Sequence, residues 1–279
     1  MIPARPSAAA MRFFDGYVAR YLRRRFHRVH LWSDRDAVAA PRRGPTIFAM
    51  SHASWWDVLV GYYLARRVIG IESYAPMDEA QLARYRILTR LGVYSVERGS
   101  AAGAREFLRY TADRLRAGGA VWITPQGEMA PHWRRPVRFQ EGIGHLVRRV
   151  PGVAVVPVAV AYEFIDEPRA EIVVKLGPPR WPGPGGDRAD IVRQLEADLE
   201  RELDAIRDAL TRRDLSACAV LLEGATSTSA LYDRVRRLRA WVTGRRDPAR
   251  HGDVVSDPRR GAAVPRSDSR REGPAPCSP

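Results

Sequence analysis

The sequence predicts an α/β protein: a mixed, mostly parallel central sheet with helices on both faces, an amphipathic helix ahead of it and a disordered tail behind it. Three observations predict this. Short apolar runs of strand type alternate with segments of helical period from residue 46 to residue 176. Apolar residues make up 45% of the 279, enough for a proper core. From about Gly244 the composition turns to Arg, Pro, Gly, Ser and Asp with almost no large apolar residues. Strands that alternate with helices form sheets covered on both faces, with most pairs parallel.

Near the N-terminus, Phe13, Phe14, Tyr17, Val18, Tyr21, Leu22 and Phe26 recur at close to helical spacing, and Arg20, Arg23, Arg24, Arg25 and Arg28 cluster around that stripe. Residues 1–32 are read as an amphipathic helical segment, and two placements fit it. It lies in a membrane interface, or it packs on the body with a solvated basic back. A polar linker, S-D-R-D-A-V-A-A-P-R-R-G-P, follows. The body, 33–243, takes strands at 46–50, 71–75, 93–96, 120–124, 153–162 and 170–176 and helices at 55–66, 81–91, 101–117 and 143–150. Ser100 is placed to cap the third of these helices and Gly118-Gly119 to stop it. Pro157, inside the apolar V-V-P-V-A, argues for an edge or irregular strand position. Beyond P-P-R-W-P-G-P-G-G come a long charged helix over 187–211 and a weaker one over 230–242. The basic tail 244–279 cannot bury enough surface to offset its ordering entropy, so disorder is expected there.

The formal charge is +14, and of 46 basic residues only Lys175 is lysine. Arginine is favoured throughout, so the charge alone names no partner, although a basic surface attracts phosphates and anionic lipids. Basic residues share their helices with acids, as in R-Q-L-E-A-D-L-E-R-E-L-D, and no nucleic-acid module is apparent. No specific nucleic acid is expected, and a basic nucleic-acid-binding protein stands as the rival from another class. Cys218 and Cys277 give neither a disulfide framework nor a metal pattern, and the near pair His27 and His30 lacks a ligand set, so no metal is expected. There is no run of about twenty apolar residues to cross a bilayer. No signal-peptide core precedes the charges at Arg12, Asp15 and Arg20. A cytoplasmic protein is the expectation.

Chemistry concentrates in short motifs. In S-H-A-S-W-W-D, His52 and Asp57 form a pair suited to base catalysis: an imidazole accepts a proton near neutral pH, and a carboxylate on its other nitrogen fixes the tautomer and stabilises the imidazolium. Ser54-x-x-Asp57 also reads as a capping box with Ser54 as N-cap, and the two readings are compatible. In G-V-Y-S-V-E-R a short strand delivers Arg98, whose fork either holds a phosphate or carboxylate or is salt-bridged to a neighbour such as Glu97. In I-T-P-Q-G-E-M-A-P a turn at Gly127 brings Gln126 and Glu128 to the carboxyl edge of the sheet, where open α/β folds bind ligands. Further on, W-R-R-P-V-R-F interleaves arginines with aromatics, as a solvated loop or as a contact for phosphates or headgroups.

The ordered set H-x-x-x-x-D, G-x-x-x-V-x-R, a P-x-G turn and V-P-V, spanning about 46–176, resembles the glycerolipid acyltransferase family, among them the 1-acylglycerol-3-phosphate acyltransferases. The resemblance implies an acyltransferase domain over 33–243 that moves a fatty acyl group from acyl-CoA or acyl-carrier protein to a lipid hydroxyl, without cofactor or metal. His52 would deprotonate the acceptor and Asp57 would orient His52, while Arg98, Gln126, Gly127 and Glu128 would bind substrate. An anionic membrane surface becomes an expected partner, with the protein peripheral on the inner face of the cell membrane. The third motif departs from the family's F-P-E-G-T-R-S, reading T-P-Q-G-E-M-A over residues 124–130. It lacks both the acid and the arginine and places Glu128 where a small hydroxyl residue is usual. A glycosylated or isoprenoid lipid therefore joins a lysophospholipid as expected acceptor, because Gln126 and Glu128 suit hydrogen bonds to sugar hydroxyls. A non-catalytic acyltransferase-like scaffold is the remaining rival, and His52 and Asp57 argue against it.

Overall fold

A computed structural model of the chain describes residues 1–165, 167–183 and 185–224. The expected helix at 230–242, the tail 244–279 and Cys277 lie outside the described residues. In chain order the elements are α1 (Ala8–Arg25), β1 (Arg28–Ser33), α2 (Arg35–Arg43), β2 (Thr46–Met50), α3 (Asp57–Leu64) running into a π-helical turn (Ala65–Ile69), and β3 (Ser73–Asp78). Then come α4 (Glu79–Arg84) with a following 3-10 turn (Arg86–Leu91), β4 (Val93–Val96), α5 (Ala101–Arg116), β5 (Ala120–Ile123) and α6 (Gly142–Arg149). The last are β6 (Ala154–Glu163), β7 (Glu171–Leu176), α7 (Arg188–Thr211) and β8 (Ala219–Glu223).

Among the described residues the strands form one eight-stranded sheet in the order β4-β3-β5-β2-β6-β7-β1-β8. The pairs β3–β4, β3–β5, β2–β5, β2–β6 and β1–β7 are parallel, whereas β6–β7 and β1–β8 are antiparallel. The β6–β7 reversal follows from its short connection, residues 164–170, since parallel neighbours need a long crossover. Every residue of β2, T-I-F-A-M, is buried, which is why a central strand reads as an unbroken apolar run. One face of the sheet carries Val18 and Leu22 of α1, Ala37 and Ala40 of α2, and Val60 and Leu64 of α3 against Phe48, Trp122 and Val158. The other carries Leu115 of α5, Leu146 of α6, and Leu195 and Leu199 of α7 against Ile47, Val121 and Val155.

Several sequence expectations are corrected. The polar linker folds as α2: the Asp34 carboxylate accepts from the backbone N–H of Asp36 and Ala37, and the helix buries Ala37 and Ala40. The boundary drawn at residue 32 falls inside β1, whose six polar-interrupted residues, R-V-H-L-W-S, pair with both β7 and β8. Pro157 sits in an interior strand. Its missing N–H costs no ladder bond because β7 pairs only from Val158 onward, and its carbonyl still accepts from Gly177 N–H. The α5 boundaries hold, with Ser100 Oγ accepting from Gly103 N–H and Gly118 at φ 85°. The two placements of α1 resolve in part: Val18, Ala19 and Leu22 pack on the body, while Phe13 is 80% and Tyr17 49% exposed on the outer side. Arg20, Arg23, Arg24 and Arg25 are exposed as well.

Candidate active site

The parallel strands deliver their carboxyl ends to one edge, and the motif residues collect there. As β2 runs out, Ser51 N–H donates to Val158 O and Ser51 Oγ accepts from Val160 N–H, which extends the β2–β6 ladder by one side chain. His52 follows, fixed by its backbone at two points: its N–H donates to Gln126 Oε1 at 2.8 Å, and its carbonyl accepts from Ala130 N–H at 2.7 Å. Its ring Nδ1 lies 2.9 Å from Asp57 Oδ2. A carboxylate only accepts, so Nδ1 carries a proton, and in the neutral ring the lone pair is then on Nε2. The His52 side chain is 18% exposed against 1% for Asp57, which leaves the ring accessible and its partner dry.

The capping reading holds in part: the Asp57 carboxylate does reach back to the Ser54 N–H, but Ser54 is not the N-cap. α3 starts at Asp57 itself, with Trp56 at the N-cap position, where its side chain makes no capping bond. Ser54 instead opens a tight turn, in which its Oγ accepts from Trp56 N–H and its own N–H donates to Asp57 Oδ2 at 2.8 Å. The second Asp57 oxygen, Oδ1, accepts from the Tyr162 phenol at 2.6 Å. Three donors thus compensate a carboxylate taken out of water. Burial, then the charge of Asp57 and its hydrogen bond, push the Tyr162 phenol well above the ordinary tyrosine range, so it is a neutral donor at all physiological pH. Sequence reasoning missed Tyr162. Its only signal was a tyrosine closing the apolar run V-A-V-V-P-V-A-V-A-Y at the functional edge.

The other candidates separate into different jobs. Gln126 faces the His52 backbone and is spent on positioning. Gly127 has φ 73°, and a Cβ there would come within 2.9 Å of Gln140 Cγ, so turn and neighbour both require glycine. Arg98 Nη1 donates to Gly127 O at 3.0 Å, tying the second motif to the third. Glu128 is exposed and paired with Arg134 at 2.9 Å. The rest of W-R-R-P-V-R-F is strapped to α7: Arg135 pairs with Asp204, and the backbone N–H groups of Val137 and Phe139 donate to Glu200 and Glu196. Nearby His132 faces Glu163, and burial, reinforced by Arg135, holds its imidazole below the ordinary range despite that carboxylate.

His52, Asp57, Arg98, Gly127 and Glu128 line a cavity of about 740 Å³. Its walls near His52 are Met50, Trp55, Trp122 and Ile123, and Met11 and Phe14 of α1 close another side. Trp55, 59% exposed, lies at this cavity, whereas Trp56 packs against Tyr21 and Phe26. A cavity of this size, walled largely by apolar side chains and holding a base, suits an aliphatic chain with a reacting head.

Residues 34–161 match the family model described as Acyltransferase. That span contains His52, Asp57, Arg98 and the turn at Gln126–Glu128 and stops one residue short of Tyr162. No curated protein matches the chain. Among solved structures, the crystal structure of the 1-acyl-sn-glycerophosphate (LPA) acyltransferase PlsC from Thermotoga maritima is similar to the chain with a TM-score of 0.49 at 14% identity, covering 71% of this chain and 79% of that one.

Proposed function

We propose that this chain, a member of the acyltransferase family, moves a fatty acyl group from an acyl thioester, acyl-CoA or acyl-carrier protein, to the hydroxyl of a lipid acceptor. The observation that carries the proposal is the His52–Asp57 pair in the lining of a largely apolar cavity, with Asp57 on Nδ1 and the His52 side chain 18% exposed. In the reaction His52 Nε2 takes the proton of the acceptor hydroxyl as its oxygen attacks the thioester carbonyl carbon. The C–S bond then breaks, and the leaving thiolate takes the proton back from the imidazolium. No side chain becomes acylated, and Cys218 lies on a different part of the chain from the motifs.

At the rim, Arg98 offers a guanidinium to an anionic headgroup. Glu128 is compensated by Arg134, so its charge is no bar to a phosphate. These two points favour a lysophospholipid. The second reading, a glycosylated or isoprenoid lipid, is favoured by a third-motif turn without arginine of its own, T-P-Q-G-E-M-A. Membrane docking is part of the same proposal. A run of ring contacts, Phe14–Tyr17–Tyr21–Trp56–Trp55, joins the outer side of α1 to the cavity wall, and the arginines of α1 flank it. No helix among the described residues is long and apolar enough to cross a membrane. An anionic leaflet, that of the inner face of the cell membrane, is therefore the proposed surface.

The test is an acceptor panel with one acyl-CoA: lysophosphatidate, other lysophospholipids, a glycosylated isoprenoid and a glycerol glycolipid, with thiol release and acylated product both measured. Strong preference for a lysophospholipid supports the first reading, and preference for a sugar or isoprenoid hydroxyl supports the second. Absence of product with every acceptor and both donors, in the presence of anionic vesicles, counts against acyl transfer.

A further inference from the structure

We propose that Tyr162 is a positioning residue of the acyl-transfer site, its phenol holding the far oxygen of Asp57 so that the carboxylate stays turned toward His52 while the imidazole takes and returns a proton. The proposal rests on the reading of His52 as the base. Tyr162 touches none of the reacting atoms and acts through Asp57.

The geometry that points to it is a chain of short contacts that ends at the base. Asp57 Oδ2 already receives two donors, His52 Nδ1 at 2.9 Å and Ser54 N–H at 2.8 Å. Both bind the same oxygen, so without a further donor Oδ1 would be a buried acceptor with nothing to oppose a swing about the Cβ–Cγ bond from its own side, and a swing would lengthen the contact with the ring. The Tyr162 hydroxyl, 2.6 Å from Oδ1, is the third point that fixes the plane. Asp57 is 1% exposed, so little of its carboxylate is open to water in place of that donor. The phenol itself is held: its ring lies 6.0 Å from that of Phe26, which meets Trp56 edge-on at 4.9 Å. Tyr162 is the penultimate residue of β6, the strand paired directly with β2, so one ladder sets the spacing between the strand that leads into the base and the strand that carries its support. During transfer the protons on Nδ1 and on the phenol stay where they are, and only the Nε2 proton moves, from acceptor oxygen to imidazole to thiolate.

Tyr162→Phe keeps the ring and its packing on Phe26 and removes only the hydroxyl. In the full chain, with palmitoyl-CoA and whichever panel acceptor turns over, kcat falls about tenfold to a hundredfold while KM for palmitoyl-CoA stays within about twofold. In the Asp57→Asn background the same change brings little further loss, because the group facing the phenol is then an uncharged amide and no carboxylate charge is left for the phenol to hold toward the imidazolium. The low-field proton resonance of His52 Nδ1–H shifts or broadens in Tyr162→Phe. A kcat within about twofold of the parent, or an equal loss in the Asp57→Asn background, overturns the proposal. If Tyr162→Phe does not fold, 3-fluorotyrosine placed at position 162 keeps the side chain and strengthens the donor, and an unmoved His52 Nδ1–H resonance overturns the proposal in that setting. The underlying reading fails separately: full turnover by His52→Ala removes the base itself, whatever Tyr162 does.

Discussion

Replacing Asp57 by asparagine isolates the electrostatic part of the site. The amide is isosteric with the carboxylate. Its oxygen can accept from His52 Nδ1 and Ser54 N–H, and its nitrogen can donate to the Tyr162 hydroxyl, so the three contacts around Asp57 survive in altered polarity. What disappears is the negative charge facing the imidazolium that forms when His52 takes a proton. The contacting atoms are 2.9 Å apart, which puts the charge centres about 4 Å apart, and an effective dielectric constant of about 20 then gives an attraction of about 4 kcal/mol. That value suits a pair with one accessible and one buried partner. If that stabilisation is felt only once the imidazolium has formed, kcat falls about 10³-fold with KM for acyl-CoA little changed. The assay is thiol release from acyl-CoA at saturating acceptor, with the thermal unfolding midpoint recorded to show that the variant is folded. A loss smaller than about tenfold in a folded variant would refute the reasoning, since the charge would then not be stabilising the protonated ring.

Other predictions follow from the same contacts. Gln126→Ala removes the acceptor of the His52 N–H, so kcat falls about tenfold, read in the same assay, while an unchanged kcat would mean that Gln126 does not hold the base. Asp198 on α7 accepts from Arg180 and Arg201. Burial raises its carboxyl, but those two hydrogen bonds outweigh burial and hold it below its ordinary range. With the folded-state value depressed, the contribution is present above the unfolded value of about 3.9 and is lost as pH falls through the folded value. Melting at pH 7 should show Asp198→Asn to be less stable by about 2 kcal/mol, and the difference from the parent should shrink below about pH 4. The double change Phe13→Ser and Tyr17→Ser, at exposed positions of α1, should weaken sedimentation with phosphatidylglycerol vesicles by about tenfold or more without lowering the melting temperature, and equal binding would remove α1 from the docking surface.

Legibility in the sequence tracked the periodicity of burial. The strands β2, β5, β6 and β7 were readable because strands inside a sheet covered on both faces are apolar on both sides, as in T-I-F-A-M, β4 because three of its four residues are buried although it is an edge strand, and α5 and α7 because each carries a cap and a long apolar stripe. β1 was not readable, because His30 sits in its middle, and that histidine is buried only by virtue of its pairing with Glu171, 141 residues away. α2 was hidden by its composition: its buried side is alanine and Pro41, with no large side chain to mark a stripe. β8 has only one buried residue, Leu222, so no alternation announced it.

The site divides the same way. His52 and Asp57 were legible as a candidate pair because they lie five residues apart, and the structure brings them into contact. Arg98, Gly127 and Glu128 were read as candidates through motif order, and the structure places all three in the cavity lining. The role of Gln126 was read as contact with sugar hydroxyls, and the structure turns it instead onto the His52 backbone, 74 positions back. Tyr162 lies 105 positions from Asp57, and a contact of that kind leaves no local pattern for sequence reasoning to use.

The most direct test of the central claim is the single-turnover rate of acyl transfer from acyl-CoA to the preferred lipid acceptor by His52→Ala, compared with the parent at matched folded fraction. Loss of general-base catalysis predicts a fall of about 10²- to 10⁴-fold with acyl-CoA binding retained. A His52→Ala variant that is folded, binds acyl-CoA and transfers the acyl group at the parental rate would contradict the account.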